Sequence, residues 1–363
     1  MSKLSKLIQN PGVFFRDFLI KKYPYVNNEQ GCTESEELAI LKHTSLLEID
    51  YLNKSESNTI DIVYTWVNRN NQWLEEYQFY SSRIDPNKIG KHANDSARFE
   101  DHNELYYSLK SVRKNLPWVR NIFVVTNNFL ELPEYLIDDQ IILVEHSSII
   151  DSKYLPTFNS HVIEACLHKI KGLSENFIYF NDDVFAARSL ASEHFFQSNG
   201  LASLFVSQKK LDDMYAKGSH TPTLLASLHS RNLLYDSFGC HINTPLVHTY
   251  VPLKKSMYEL AWQLYGFEIT SFLSNRFRGN QDLNMATFLV PWLMYVKGFA
   301  SIESDICYYF NIRSPHAIQQ YQKLLYKPDS DKPHSICAND FYSNHMFSRD
   351  YKHELVGFLE EYF

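Results

Sequence analysis

The sequence predicts an α/β fold, with a mostly parallel central sheet, flanking helices and a mainly helical C-terminal part. Short runs such as 121–126 (NIFVVT) and 176–180 (NFIYF) are apolar almost without interruption. Strands of this kind are typical of a sheet that is buried on both faces. Between the runs, apolar residues recur at helical spacing, so strands and helices alternate along the chain. That alternation predicts parallel strands joined by right-handed crossovers.

Four strands are predicted in chain order. Residues 59–67 (TIDIVYTWV) are rich in β-branched and aromatic side chains, which favour strands. The runs 121–126, 140–144 and 176–180 follow, and each is short enough for a single strand of a buried sheet.

Helices are predicted between and after these strands. In 104–116 the apolar residues are spaced at i, i+4, i+7 and i+11, and Pro117 ends the helix. Residues 160–170 show a similar apolar face. From about residue 250 the pattern is mostly helical, up to a last amphipathic turn around 355–359.

Length and composition indicate a folded protein with one main domain. The chain has 363 residues, of which 44% are hydrophobic and 21% are charged, and this supports a sizeable core. We expect an N-terminal amphipathic segment and connector over 1–58 and a main catalytic domain over 59–345. A C-terminal helix over 346–363 is expected to pack on that domain.

Charge, glycine and cysteine content exclude several classes of protein. The net charge is 35 − 42 = −7, which argues against a nucleic-acid partner bound through a basic face. The chain has 11 glycines and neither a GxxxxGK[ST] loop nor a GxGxxG turn, which disfavours P-loop kinases and ordinary dinucleotide-binding folds. The five cysteines form no CxxC pair, so we expect reduced thiols in a cytoplasmic protein.

The first 22 residues are basic and partly amphipathic. Five basic side chains against the single Asp17 give 5 − 1 = +4, with apolar residues interleaved. Such a segment either lies peripherally on the anionic inner-membrane surface or packs its Phe side chains on the main domain. The sequence leaves both interpretations open.

An acidic pair directly follows a buried strand. Asn181, Asp182 and Asp183 come after the run 176–180, at the end of the sheet where ligands of open α/β folds bind. Two carboxylates there are costly to desolvate unless a cation or hydrogen bonds offset them. Mg²⁺ shared between a carboxylate and substrate phosphates meets this need, and one of the two Asp side chains is expected to face it. An ordinary turn or helix cap is the alternative.

A second polar cluster lies at 98–105 (RFEDHNEL). Asp101 and Glu104 have the spacing of a capping box, which would explain both by a structural role. Arg98 either holds a phosphate or pairs with Asp101.

A third cluster spans 248–256 and 276–282. His248 is suited to general acid–base chemistry near neutral pH, and an arginine fork suits phosphate oxygens. An isolated histidine is more often a hydrogen-bonded structural residue, so the spacing alone leaves that alternative open.

Together these segments resemble the four blocks of the Stealth family, the bacterial capsular polysaccharide hexose-1-phosphate transferases. The catalytic part of animal N-acetylglucosamine-1-phosphotransferase is similar. The blocks occur in the expected order, at 60–68 (IDIVYTWVN), 98–128, 155–185 and 248–282, and they lie within about 220 of the 363 residues. The opening 10–17 (NPGVFFRD) resembles the start of bacterial capsule polymerases.

The resemblance implies a fold like that of nucleotide-sugar transferases, a UDP-sugar donor and a divalent cation, Mg²⁺ or Mn²⁺. The positions that carry over as catalytic are Glu164, Asp183, His248 and Arg278. We expect Asp183, with Asp182 as a second candidate, to hold the metal ion, and Arg98, Asn181 and Asn280 to bind substrate. The fourth block departs from the family's usual His-Thr-Pro, since His248-Thr249-Tyr250 stands there and the proline is displaced to Pro252.

The expected function is transfer of sugar-1-phosphate from a UDP-hexose or UDP-N-acetylhexosamine to a hydroxyl of an oligosaccharide or capsule chain. The products would be a phosphodiester linkage and UMP. Either His248 or Glu164 would act as the base. The alternatives are a metal-dependent glycosyltransferase that releases UDP, and a non-catalytic saccharide-binding module suggested by the richness in Tyr and Phe.

Overall fold

The protein is described by a computed structural model that covers part of the chain. The described residues are 11–12, 14–15, 27–51, 59–84, 102–340 and 350–363, with backbone alone for 27–28 and 45–51. Most of the basic N-terminal segment, together with Arg98 and Asp101, lies outside the described residues.

The strands of the described residues are eleven in number. They are β1 (Asn27–Asn28), β2 (Ile60–Thr65), β3 (Ile122–Thr126), β4 (Ile141–Glu145), β5 (Asn176–Asn181), β6 (Val184–Ala186), β7 (Ala202–Phe205), β8 (Val251–Lys254), β9 (Ala300–Glu303), β10 (Cys307–Asn311) and β11 (Ser335–Asn339).

The α-helices of the same residues alternate with these strands in the first half of the chain. They are α1 (Glu34–Tyr51), α2 (Asn71–Ser81), α3 (Glu104–Asn115), α4 (His146–Ile149), α5 (Ser160–Glu164), α6 (Leu211–Ala216), α7 (Pro222–Phe238), α8 (Lys255–Phe272), α9 (Val290–Val296), α10 (Ala317–Leu325) and α11 (Tyr351–Tyr362).

The central sheet has the strand order β4-β3-β2-β5-β8. The first four strands run parallel and β8 pairs antiparallel with β5. The predicted α/β fold with a mostly parallel sheet is therefore confirmed, and the four predicted strands end within two residues of the observed ones. β3 is buried along its whole length and β5 along its four central residues, as their nearly continuous apolar runs predict. The same expectation is wrong for β4, because it lies at the edge of the sheet and leaves Ile142 exposed.

The strand β8 was not predicted, because it is four residues long and contains Pro252. It lies at the edge of the sheet, where only one side pairs with a neighbour. Proline has no N–H to donate and is tolerated in such edge strands.

The part after residue 250 is helical, as predicted, and it also carries strands. β10 and β11 pair in parallel and form a second sheet with the order β1-β10-β11-β6. β7 and β9 form a separate parallel pair. Two residues separate the end of β5 in the central sheet from the start of β6 in the second sheet. The chain therefore passes from one sheet to the other at Asp182-Asp183.

One predicted helix detail is wrong. The helix expected over 160–170 ends as α5 at Glu164 and continues as a 3₁₀ turn, because the Ala165 carbonyl accepts from Trp262 Nε1 at 2.9 Å while the Lys169 N–H bonds to Cys166. The capping box of Asp101 and Glu104 stays a prediction, because Asp101 lies outside the described residues.

At the start of α3, Glu104 bonds to the chain just before the helix. The helix begins at Glu104 with Asn103 as its N-cap, at a φ of 61°. The Glu104 carboxylate accepts from the His102 N–H at 2.7 Å and so bonds to the backbone just before the helix.

The C-terminal helix α11 packs against α10 and the second sheet. Phe358 and Tyr321 stack with ring centroids 4.5 Å apart, and the Tyr362 hydroxyl donates to the Ala187 carbonyl at 3.0 Å. The domain limits 1–58, 59–345 and 346–363 stay a prediction. Among the described residues, no helix combines the length and the apolar character needed to cross a bilayer.

Candidate active site

Asp183 lies in the tight turn that joins the two sheets. Its carbonyl accepts from the Ala338 N–H at 3.0 Å, which ties the turn to β11. Its Oδ2 accepts from Asn339 Nδ2 at 3.2 Å and lies 3.6 Å from the Cys337 sulfur. From the described residues, no hydrogen bond reaches Oδ1. One carboxylate oxygen is thus fixed by the second sheet while the other is left for a ligand.

His248 faces the same carboxylate from the central-sheet side. Its Nε2 lies 3.9 Å from Asp183 Oδ2, beyond hydrogen-bond length yet close enough for electrostatic coupling. The ring packs edge-on against Tyr309, with centroids 5.6 Å apart, and 42% of the side chain is exposed. His248 therefore combines a fixed orientation with access to substrate.

Cys337 completes the group of possible metal-ligand atoms around Asp183. The ligand atoms of Asp183, His248 and Cys337 lie within 4.8 Å of one another. Burial, and then the negative charge of Asp183, raise the pKa of the Cys337 thiol well above its usual range. Without a bound ion the thiol is therefore protonated. The open oxygen of Asp183 and the imidazole of His248 are atoms of the kind that hold a divalent metal ion.

Asp182 does not join this group through any contact described for it. Its charge contributes to the raised pKa of the Tyr64 phenol on β2, for which burial is the largest cause. Asp183 lies 3.9 Å from His248 Nε2, and the expectation that one of the two carboxylates faces a metal ion stays a prediction.

Glu164 and Arg278 both act electrostatically on Tyr179 of β5. Glu164 is only 6% exposed, so it is not an ordinary surface residue of its helix. Burial and then the Glu164 charge raise the pKa of Tyr179, while the Arg278 charge opposes the rise. The neutral Tyr179 hydroxyl donates to Asn181 Oδ1 at 2.9 Å. Glu164, Arg278 and Asn181 are thus brought around one phenol.

The loop that carries Arg278 is held by a buried carboxylate. Asp282 is fully buried and accepts from the Gly279 N–H at 3.0 Å and from His161 Nδ1 at 3.0 Å. Arg278 itself donates to the Ser160 hydroxyl at the start of α5. Asn280, in the same loop, is exposed.

Sequence reasoning missed five residues of this arrangement, which are Tyr179, Asp282, Tyr309, Cys337 and Asn339. The signal for Asp282 was a charged residue directly before the apolar run 283–296. The other four stand out only once the sheets are assembled, because their partners are far away in the sequence.

A second His/Asp cluster consists of His194, Asp305 and His334. Its ligand atoms are already engaged. His334 Nδ1 accepts from the Ile306 N–H at 2.8 Å, Nε2 pairs with Thr44 at 2.7 Å, and His194 Nε2 lies 2.8 Å from Asp305. We interpret this cluster as structural.

Comparison with known proteins identifies the family. Residues 98–204 match the family described as Stealth protein CR2, conserved region 2. The capsular polysaccharide phosphotransferase of Actinobacillus suis is 53% identical over 99% of this chain and 98% of its own length. Those of Haemophilus influenzae and Neisseria meningitidis are 54% identical (97% of this chain, 98% of theirs) and 51% identical (100% of both).

Solved structures give only weak likenesses. The galactosyltransferase LgtC in complex with donor and acceptor sugar analogues has a TM-score of 0.40 at 11% identity, covering 83% of this chain and 95% of that one. The sequence relatives, at about half identity over nearly the whole length, are decisive. The chain belongs to the Stealth family of capsular polysaccharide phosphotransferases.

Proposed function

We propose that the protein transfers a hexose-1-phosphate or N-acetylhexosamine-1-phosphate unit from a UDP-sugar to a hydroxyl of a capsular saccharide chain. The reaction forms a phosphodiester and releases UMP. The observation that carries the proposal is the approach of His248 Nε2 to 3.9 Å from Asp183 Oδ2 at the carboxyl end of β5. The names of the relatives, capsular polysaccharide phosphotransferases, support the class of reaction.

In this proposal, His248 takes the proton of the attacking hydroxyl. A histidine titrates near neutral pH, and the half-exposed ring can meet an acceptor. The neighbouring Asp183 carboxylate favours the imidazolium that forms. General-base assistance of this kind contributes roughly 10²- to 10⁴-fold in rate. Glu164, at 6% exposure, is better placed to orient a bound sugar than to exchange protons with solvent.

Arg278 stabilises the transferring phosphoryl group. Negative charge spreads over the equatorial oxygens in such a transition state, so positioning and electrostatics dominate the catalysis. A guanidinium has five N–H donors, and the described bond to the Ser160 hydroxyl uses one of them. The remaining donors are available for phosphate oxygens, and Asn181 and Asn280 are proposed to bind the donor.

Asp183 would hold Mg²⁺ through its open carboxylate oxygen, with Asp182 as the second candidate ligand. Bound there, the ion would neutralise the diphosphate and favour the departure of UMP.

The nucleotide product separates this proposal from its closest rival. A phosphotransferase releases UMP, whereas a glycosyltransferase that attacks the anomeric carbon releases UDP. Incubation with a panel of UDP-sugars, Mg²⁺ and an oligosaccharide primer, followed by nucleotide chromatography, makes the test. An ¹⁸O label in the bridge between the sugar C1 and the β-phosphorus should remain in the polymer linkage, and its departure with the nucleotide contradicts the proposal.

Substitutions separate the enzyme from a saccharide-binding module. Asp183→Asn and Arg278→Ala should each lower kcat by about 10²-fold or more, as expected when a group that stabilises developing charge is lost. The exposed Asp139, changed to Asn, is the matched control and should keep wild-type turnover. Unchanged turnover in both site variants, with saccharide affinity retained, would support the binding module instead.

We also propose a cytoplasmic location with peripheral membrane contact through residues 1–22. The support is the net charge of +4 in that segment, since each basic residue near anionic lipid contributes about 1 kcal/mol. Flotation with anionic liposomes, with and without residues 1–22, is the test. Equal flotation of both forms argues against the anchor.

A further inference from the structure

The backbone of His248 is held by a carboxylate from the N-terminal part of the chain. Glu29 Oε2 accepts from the His248 N–H at 3.0 Å, across 219 positions of sequence. Glu29 Oε1 pairs with the ammonium group of Lys209. Both carboxylate oxygens are therefore engaged, one by the site histidine and one by a balancing charge.

Burial makes these two bonds important. Glu29 is 7% exposed, so its charge is removed from water and depends on the two partners for stabilisation. A hydrogen bond to a carboxylate is also stronger than one to a neutral acceptor. Without Glu29, the His248 N–H would lose a directed, charge-assisted partner.

The position of Glu29 is itself fixed by the second sheet. The preceding residue, Asn28, pairs with Tyr308 of β10, and the Glu29 carbonyl accepts from the Gln208 N–H at 2.9 Å. The next residue of β10, Tyr309, packs against the His248 ring. The same edge of the second sheet therefore fixes both the backbone and the ring of His248.

We infer that Glu29, which lies outside all four Stealth blocks, is a positioning residue for His248. It holds the histidine backbone so that Nε2 stays beside Asp183 and faces the acceptor hydroxyl. The inference rests on the proposed function, because that function gives His248 its role in proton transfer. It also means that the catalytic unit includes a residue from before the predicted main domain.

The test compares Glu29 with a glutamate of the same N-terminal part. Glu37 on α1 accepts from the Tyr308 hydroxyl of β10 and has no described contact with His248. Glu29→Ala, Glu29→Gln and Glu37→Ala are assayed for UMP release against UDP-sugar concentration, with thermal unfolding as a check of folding. Displacement of a reacting group by about 1 Å can cost about 100-fold, so Glu29→Ala should lower kcat by about 10- to 100-fold.

Three features distinguish positioning from a merely structural role. The KM for the UDP-sugar should stay within about twofold, since Glu29 does not touch the donor. Glu29→Gln keeps an oxygen acceptor for the His248 N–H and should recover kcat to within about fivefold of wild type. Glu37→Ala should keep wild-type kcat. Equal losses in Glu29→Ala and Glu37→Ala, or no recovery in Glu29→Gln, would overturn the inference.

A spectroscopic measurement tests the inference without any turnover. The imidazole resonance of His248, assigned by its disappearance in His248→Gln, should shift in Glu29→Ala and not in Glu37→Ala. If Glu29→Ala does not fold, Glu29→Gln and Glu37→Gln are compared in the same way. An unshifted His248 resonance in Glu29→Ala refutes the positioning role. If the resonance does shift but the wild-type protein releases no UMP, only the proposed function is refuted.

Discussion

Replacement of Asp282 by alanine is expected to destabilise the fold and to misplace Arg278. The Asp282 side chain is completely buried and accepts four hydrogen bonds. The donors are Asn159 Nδ2 at 2.9 Å, His161 Nδ1 at 3.0 Å, Asn275 Nδ2 at 2.8 Å and the Gly279 N–H at 3.0 Å. Asn275 and Gly279 flank Arg278 in its loop, whereas Asn159 and His161 lie at the start of α5. The carboxylate therefore joins the loop to that helix.

The size of the effect follows from the burial of this network. Removal of one partner from a buried, hydrogen-bonded charge network costs about 3–5 kcal/mol. Adding about 1.5–3 kcal/mol for each of the four bonds to the charged group would give a larger cost. We expect the smaller cost because water enters the vacated space and satisfies some of the donors. Against a total stability of about 5–15 kcal/mol, the Asp282→Ala protein should still fold at low temperature.

Urea unfolding and UMP release measure the two consequences separately. We expect a loss of about 3–5 kcal/mol in the free energy of unfolding and, for the folded fraction, a kcat reduced about 10-fold or more because Arg278 is displaced. The exposed Asp139, changed to Ala, should stay within about 0.5 kcal/mol of wild type. An Asp282→Ala protein that unfolds within about 1 kcal/mol of wild type and keeps its kcat would refute the reasoning.

Three further predictions concern pH, metal and packing. Burial lowers the pKa of His334 to about 3 from 6.5, so only the unfolded chain takes up this proton as the pH falls below 6.5. Stability should then fall by up to about 1.4 kcal/mol per pH unit for this group, and His334→Gln should flatten the slope of urea midpoints between pH 6.5 and 4.5. EDTA should abolish UMP release and Mg²⁺ should restore it, and full activity in EDTA would contradict the metal site. Cys337→Ala should keep kcat within about threefold of wild type, because a neutral S–H is a weak hydrogen-bond donor. Phe358→Ala should lower the free energy of unfolding by about 3–5 kcal/mol, because Phe358 is buried. Phe267 is 85% exposed, so Phe267→Ala should lower it by less than about 0.5 kcal/mol. Equal unfolding midpoints for the two variants would contradict the packing of α11.

The central sheet was predictable because its strands carry a local signal. β3 and β5 are buried on both faces, and such strands appear in the sequence as nearly continuous apolar runs. β2 was recognisable from its β-branched and aromatic residues. β8 gave no such signal, since four residues with an internal proline are too few to define a period. The end of α5 was equally hidden, because Trp262, almost a hundred positions later, takes the carbonyl that would have continued the helix.

Some residues of the candidate site could likewise be found from the sequence, and others could not. The Asp182-Asp183 pair after a buried strand, the His248 segment and Arg278 could be proposed from the sequence, with the family resemblance supplying their roles. The surroundings could not, because the contacts of Asp183 with Cys337 and Asn339 span more than 150 positions. The burial of Glu164 likewise results from tertiary packing, and no helical pattern of five residues could have revealed it.

The site lies at the seam between the two sheets, and that location bears on how it works. Asp183 is fixed by β11 of the second sheet, whereas His248 leads into β8 of the central sheet. The seam is closed at the site itself, since the Thr249 hydroxyl donates to Ser335 at the start of β11 at 2.6 Å. Packed sheets resist continuous deformation, so the separation of His248 from Asp183 is set by the fold before any substrate binds. Because phosphoryl transfer depends mainly on placing charges around the reacting group, a rigid seam between two sheets suits the proposed reaction better than a mobile loop would.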